Sequence, residues 1–128
     1  MEIRRMTNRD DVFYQLMGPY LARREVEKEI GFPIYDEDGK EWFVAIDDGA
    51  VVGFCYRFKG HIGSCYVVEE RRRQGLFRQL LKAAMKDATG TIAIRTKSEI
   101  MKALLEKEGF ASVGNRGSFI EYRKEMPS

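Results

Sequence analysis

The sequence predicts a mixed α/β or α+β fold, with helices packed around one sheet in the order βααβββαβαββ. Three observations predict it. Residues 41–68 alternate aromatic and branched stretches with tight-turn residues, the pattern of a strand meander. Residues 75–88 carry the apolar stripe of an amphipathic helix. Beyond Gly90 a strand, a helix and a hairpin complete the chain.

Ile3 to Met6 reads as a short strand, and Thr7 with Asp10 three residues later has the form of a helix cap and capping box. The helix that follows carries Val12, Phe13, Leu16 and Met17 at helical spacing. Gly18-Pro19 is expected to break it, and Tyr20 to Ile30 to form a second, charge-rich helix closed by Gly31 and Pro33. Asp36-Glu37-Asp38-Gly39 is a turn by composition. Strands are expected over Glu41 to Ile46, Val51 to Phe58 and Ile62 to Val68, joined by turns at Asp47-Asp48-Gly49 and Lys59-Gly60-His61. A hairpin centred on Gly60 would set Cys55 opposite Cys65. Gly75 to Ala88 is the clearest helix, with Phe77, Leu80, Leu81, Ala84, Met85 and Ala88 on its packed face, ended by Gly90. Thr91 to Thr96 is a strand, and Ile100 to Glu108 a helix burying Ile100, Met101, Leu104 and Leu105, with Gly109 as its cap. Ala111 to Val113, a turn at Gly114-Asn115-Arg116-Gly117, and Ser118 to Arg123 form the last hairpin.

A chain of 128 residues suits a single domain over 1–128, able to bury roughly two-thirds of its unfolded surface. With 44% hydrophobic and 33% charged residues its composition is globular. The net charge of +2 argues against nucleic acid as a partner, and no apolar run is long enough for a membrane span. The charged start lacks the apolar core of a signal peptide, so a cytoplasmic protein is expected. Two cysteines and a single histidine exclude a disulfide scaffold and leave no zinc-ligand set, so no metal is expected. No Gly-x-Ser-x-Gly, Gly-x-x-x-x-Gly-Lys-Ser/Thr or Gly-x-Gly-x-x-Gly occurs.

The chemistry concentrates in Cys65 to Phe77, where a strand runs through the basic turn Arg71-Arg72-Arg73 into a helix. Helix N-terminal N–H groups lack internal partners and the helix dipole adds partial positive charge, so this turn is an anion site. Gly75 lets backbone approach the anion closely, while the arginines add charge and paired donors. A pyrophosphate suits it; a solvated arginine run at a strand-to-helix corner is the plain alternative.

Arg72-Arg73-Gln74-Gly75-Leu76-Phe77 resembles the acetyl-CoA pyrophosphate loop of the GNAT-type N-acetyltransferases, Gln/Arg-x-x-Gly-x-Gly/Ala, with Arg72 and Gly75 matching and Phe77 in place of the small last residue. Val67-Val68-Glu69 is similar to the Val-x-Pro before that loop, and Gly109-Phe110 to the Gly-Phe that ends the family's next helix. The element order agrees along the whole chain.

The resemblance implies a mostly antiparallel central sheet with two parallel, splayed strands, here Ile62 to Val68 and Thr91 to Thr96. Acetyl-CoA is the implied co-substrate. Val67 and Val68 would contact its pantetheine arm, and Arg72 with the amides of Arg73, Gln74, Gly75, Leu76 and Phe77 its pyrophosphate. The Cys65 amide would polarise the thioester carbonyl. His61, four residues earlier where some members carry a glutamate, is the candidate base, with 61, 63, 65 and 67 expected on one face. The family's usual acidic tyrosine and its asparagine fall on Leu105 and Ser98; Ser98 would bond the pantetheine or cap its helix. Tyr66, Tyr122 or water would then protonate the thiolate. The implied activity is direct acetyl transfer to a primary amine, small-molecule or peptide, by a monomer or homodimer. A catalytically weak acyl-CoA-binding module of the same fold is the alternative, and a nucleic-acid binder using Arg71 to Arg73, Arg78 and Lys82 a third. The acceptor site is expected among the N-terminal helices, residues 31–40 and the C-terminal hairpin. Asp36, Glu37, Asp38, Asp47 and Asp48 are candidate attractants for a cationic amine.

Overall fold

The computed structural model describes residues 1–127; Ser128, the end of the expected 1–128 domain, lies outside the described residues. The elements are β1 (Glu2–Met6), α1 (Phe13–Leu21), α2 (Arg24–Ile30), β2 (Glu41–Asp47), β3 (Ala50–Phe58) and β4 (His61–Val67). A short 3₁₀ turn (Glu69–Arg71) leads into α3 (Leu76–Met85), β5 (Gly90–Thr96), α4 (Glu99–Lys107), β6 (Ala111–Arg116) and β7 (Phe119–Met126). The strands form one seven-stranded sheet in the order β1-β2-β3-β4-β5-β7-β6. Every neighbouring pair is antiparallel except β4–β5, as the mixed fold class requires.

Alternation along the strands sends side chains to two cores. Phe13, Met17, Trp42, Val44 and Phe54 pack between α1, α2 and one face of the sheet. Phe43, Ala45, Ile62, Val67, Ile92 and Ile94 pack on the other face against Leu76, Leu80, Leu81, Ala84 and Met85 of α3 and Leu105 of α4. Burying one such side chain contributes about 1.5–3 kcal/mol, which outweighs the weak preferences of individual turn residues.

That packing explains the departures from the sequence reading. Half of the expected capping box forms: the Thr7 N–H donates to the Asp10 carboxylate at 2.7 Å, but the Thr7 hydroxyl accepts from the Arg9 N–H at 3.2 Å and the Asp10 N–H goes to the Thr7 carbonyl at 3.1 Å. They close a turn rather than a helix, and α1 begins only at Phe13, where burial starts. Pro19 lies inside α1: its fixed φ is helical, and the bond it forgoes is one near the helix end. The break falls at residues 22–23 instead. Helix α3 stops at Met85, and Gly90 opens β5 rather than ending the helix. Ile100 is exposed, so only Met101 and Leu105 of α4 are fully buried. The last turn is Gly117-Ser118 rather than 114–117, because a bulge at residue 113 carries β6 on to Arg116. Strand β7 returns between β5 and β6, so β7 is interior to the sheet and β6 is its exposed edge.

The β3–β4 hairpin needs a two-residue turn in which Lys59 (φ 48°) and Gly60 (φ 80°) are both left-handed. Phe58 therefore faces His61, and Tyr56 faces Gly63. A bulge at Ser64 (φ 50°) then shifts the register so that Phe54 faces Tyr66 and Gly53 faces Val67. Cys55 stands opposite this bulge, with Cys65 just beyond it; both are free thiols.

Candidate active site

Strands β4 and β5 pair at only two positions, His61 with Ala93 and Ile62 with Ile94, and then separate. The bulge at Ser64 bends β4 away, so the main chain from Ser64 to Val67 and that of Arg95 and Thr96 line a gap through the sheet. The gap opens into a cavity of about 740 Å³, whose walls include His61, Ser64 and Cys65 of β4, Thr96 of β5 and Phe77 of α3.

The Val68 N–H bonds the Val52 carbonyl at 2.9 Å and the Val68 carbonyl accepts from the Arg71 N–H at 2.9 Å. Val68 is therefore not free to contact a pantetheine arm, a correction to the expectation from sequence. Alternation turns the N–H groups of Val67 and Cys65 the other way, into the gap. The Val67 carbonyl is taken by the Arg72 guanidinium at 2.8 Å. Below it the chain turns through Glu69–Arg71, and left-handed backbone at Arg73 (φ 66°) and Gly75 (φ 78°) folds it into α3. Among the described residues no acceptor takes the N–H of Arg73, Gln74, Gly75, Leu76 or Phe77. A Cβ on Gly75 would meet nothing within 4 Å, so its approach is open. The Phe77 ring turns to the cavity wall and the α3 core, clear of those amides.

Two of the three arginines hold the scaffold. Arg71 pairs with Asp47 at 2.6 Å, and Arg72 reaches Glu29 of α2 at 2.5 Å. Arg78 pairs with Glu108 at 2.9 Å, so the run expected to offer a nucleic-acid footprint is largely spent on carboxylates. Arg73 has no carboxylate within 4 Å among the described residues.

The candidate residues His61 and Cys65 both line the cavity but from opposite faces. The Ser64 bulge puts Cys65 and Val67 on the α3 side with Ile62, leaving His61 and Gly63 on the α1–α2 side. The expectation of one face for 61, 63, 65 and 67 fails for this reason. Ser98 caps α4, its hydroxyl accepting from the Met101 N–H at 3.2 Å. Leu105, the position of the family's tyrosine, is 0% exposed in the core. Tyr122 is buried against β5 and Tyr66 packs with Tyr20 and Phe54, so neither lines the cavity.

The tyrosine that sequence reading missed is Tyr56. Its ring lies across Gly63, and a Cβ there would sit 2.7 Å from the phenol oxygen. Burial, and secondarily the neighbouring Cys65 and Glu37, push its hydroxyl above the ordinary phenol range. The Lys40 ammonium stands 4.2 Å from the ring centroid, held by the Tyr35 carbonyl at 2.7 Å and Glu37 at 3.3 Å. The legible signal was a tyrosine facing a glycine across a two-residue hairpin turn.

The acidic turns do not gather at the cavity. Asp36 accepts from the Tyr14 hydroxyl, Asp38 from Asn8 at 2.8 Å, and Asp47 is paired with Arg71, so only Glu37 of the five acids lines it.

Residues 5–110 match the sequence model of the acetyltransferase (GNAT) family. The chain belongs to the GNAT family. This GNAT domain is similar in structure to an aminoglycoside 6'-acetyltransferase type Ii (TM-score 0.72, 18% identity, covering 100% of this chain and 99% of the other). It is similar also to Escherichia coli ElaA (TM-score 0.72, 14% identity, 97% and 99% covered). A GNAT acetyltransferase from Elizabethkingia anophelis, with acetyl-CoA bound, superposes with a TM-score of 0.66 at 17% identity, 98% and 97% of the chains being covered. No curated protein matches this GNAT sequence. Membership makes the domain an acetyltransferase by family. No helix among the described residues is long and apolar enough to cross a membrane.

Proposed function

We propose that the domain transfers the acetyl group of acetyl-CoA to a primary amine by direct attack in a ternary complex, in the cytoplasm. The observation that carries this reading is the gap between β4 and β5, closed at its α3 end by the unpartnered amides of Arg73 to Phe77. Those amides, the helix dipole and the charge of Arg73 suit a pyrophosphate. The Val67 N–H is the pantetheine contact, and the Cys65 N–H donates to the thioester oxygen as negative charge develops there.

His61 takes the amine proton, an imidazole being a competent base near neutral pH. Four residues of strand separate it from Cys65, roughly 13 Å at about 3.3 Å per residue, so the proton reaches it along a chain of several waters in the cavity. As the new C–N bond forms and the C–S bond breaks, Tyr56 supplies the proton that the departing thiolate needs. It replaces the tyrosine absent at Leu105, and its raised phenol still carries its proton at neutral pH.

The second reading, an acyl-CoA-binding module without turnover, is favoured by the fully buried Leu105 in the usual acid position. Thiol release separates the two. Free CoA appearing when acetyl-CoA is mixed with a panel of amines supports the transferase; tight acetyl-CoA binding without thiol release supports the module.

A further inference from the structure

Resting on the transferase reading above, we propose that the acceptor is an aromatic monoamine whose far end is neutral or anionic, such as an arylalkylamine or an aromatic amino acid, and not a polycation. Ile92 and Ile94 of β5 pack on the α3 core, so Ala93, Arg95 and Lys97 face the α1–α2 side together with His61 and Tyr56. The Lys97 ammonium confirms that side by reaching the Lys28 carbonyl of α2 at 3.3 Å. This acceptor half of the cavity is completed by residues 29–40.

Its charges disfavour a polycation. The lining carboxylates are Glu29 and Glu37, and each already has a cation of this chain, Arg72 at 2.5 Å and Lys40 at 3.3 Å. Arg95 is paired with Glu121 at 2.8 Å, whereas Lys97 has no carboxylate within 4 Å among the described residues. With Glu121 counted, three carboxylates face four cations, so the Lys97 charge is left unneutralised and an acceptor with several positive charges would meet repulsion from it at short range. A carboxylate on the acceptor would find Lys97.

The rest of the wall is aromatic and underused. Phe32 packs on Phe119 at 4.6 Å yet remains 44% exposed, and Tyr35, 60% exposed, lines the same cavity. Gly31 fixes this wall: a Cβ there would sit 2.4 Å from the Phe119 ring, so the backbone rests directly on it. Exposed ring faces at a cavity mouth gain most from a second ring that stacks on them.

The test measures thiol release from acetyl-CoA with phenethylamine, tryptamine, phenylalanine and tryptophan against spermidine and kanamycin. The aromatic acceptors are expected to exceed the polycations by about 10-fold or more in kcat/KM. Phe32→Ala should lower kcat/KM for the aromatic acceptors by about 5- to 10-fold while leaving acetyl-CoA affinity unchanged. Lys97→Gln should slow phenylalanine more than phenethylamine. A preference for spermidine or kanamycin, or a Phe32→Ala effect equal for aromatic and polycationic acceptors, overturns the proposal while leaving the transferase reading intact. Acetyl-CoA binding without thiol release for any amine removes the transferase reading, and the acceptor class with it.

Discussion

The proposed reaction assigns Gly75, His61 and Tyr56 separable tasks. Gly75 has left-handed backbone and open space before it, so a side chain there enters the anion turn directly. Gly75→Glu adds strain and a negative charge where phosphate oxygens would sit; calorimetric titration is expected to find acetyl-CoA binding abolished, and unchanged affinity would exclude the loop assignment. His61 is exposed at the start of β4, and its loss should not disturb folding. His61→Ala is expected to reduce turnover at pH 7 and to recover at high pH, where the amine is already neutral; full activity at pH 7 would remove the imidazole from the reaction. Tyr56→Phe deletes one oxygen without changing the ring packed by Lys40 and Trp42. We expect kcat to fall by about 10²-fold with the Kd for acetyl-CoA unchanged, since positioned acids contribute of that order.

Elements decide which residue types those tasks can use. Helix α4 presents Leu105 to the core at 0% exposure, while its exposed Ile100 lines the cavity. In the proposed reaction the proton donor is therefore Tyr56 of β3, whose ring has room because the residue across the strand is Gly63. Restoring the family's tyrosine as Leu105→Tyr should not help: overpacking this site is expected to cost about 1–3 kcal/mol, read as a lower midpoint in urea denaturation, with no gain in kcat. The turns flanking β3, the α3 stripe and the Ser98 cap were readable because each depends on residues a few positions apart. The extent of α1 was not, since Pro19 inside the helix is compensated by the burial of Phe13 and Met17, which sequence spacing does not price.

Across the whole molecule, ion pairs tie the sheet to its helices. Asp87, just beyond α3, bridges Arg57 of β3 at 2.7 Å and Arg5 of β1 at 2.6 Å, and Arg57 also donates to the Ala84 carbonyl at 2.7 Å. The two guanidiniums hold the Asp87 carboxyl well below the ordinary carboxylate range, and Arg71, Arg78 and Arg95 lower those of Asp47, Glu108 and Glu121. Each group binds its proton less readily folded than unfolded, so its stabilisation is complete above about pH 5 and is lost as pH falls through the folded values. Thermal midpoints should be level from pH 7 to about 5 and fall below about pH 4, less steeply in 1 M salt because these carboxylates lie at the surface, Asp87 exposed and the others half-buried. A midpoint that stays level to pH 2 would show that the network contributes nothing.

The order of elements and the anion turn at Arg72 to Phe77 follow from sequence alone, because periodicity, turn glycines and unpartnered helix amides are local properties, whereas the candidate pair His61 and Cys65 is what the family resemblance implies. Three things were decided only in three dimensions. The Ser64 bulge split His61 and Cys65 between two faces, a one-residue register change that no local pattern announces. The path of the backbone engaged Val68 with Val52 and Arg71, and so removed it from the cofactor contacts. Packing brought Tyr56, Phe32 and Lys97 from distant parts of the chain to one cavity. Which charges are neutralised and which ring faces remain open depends on those long-range neighbours, so the acceptor's character is a tertiary property even where the fold is not.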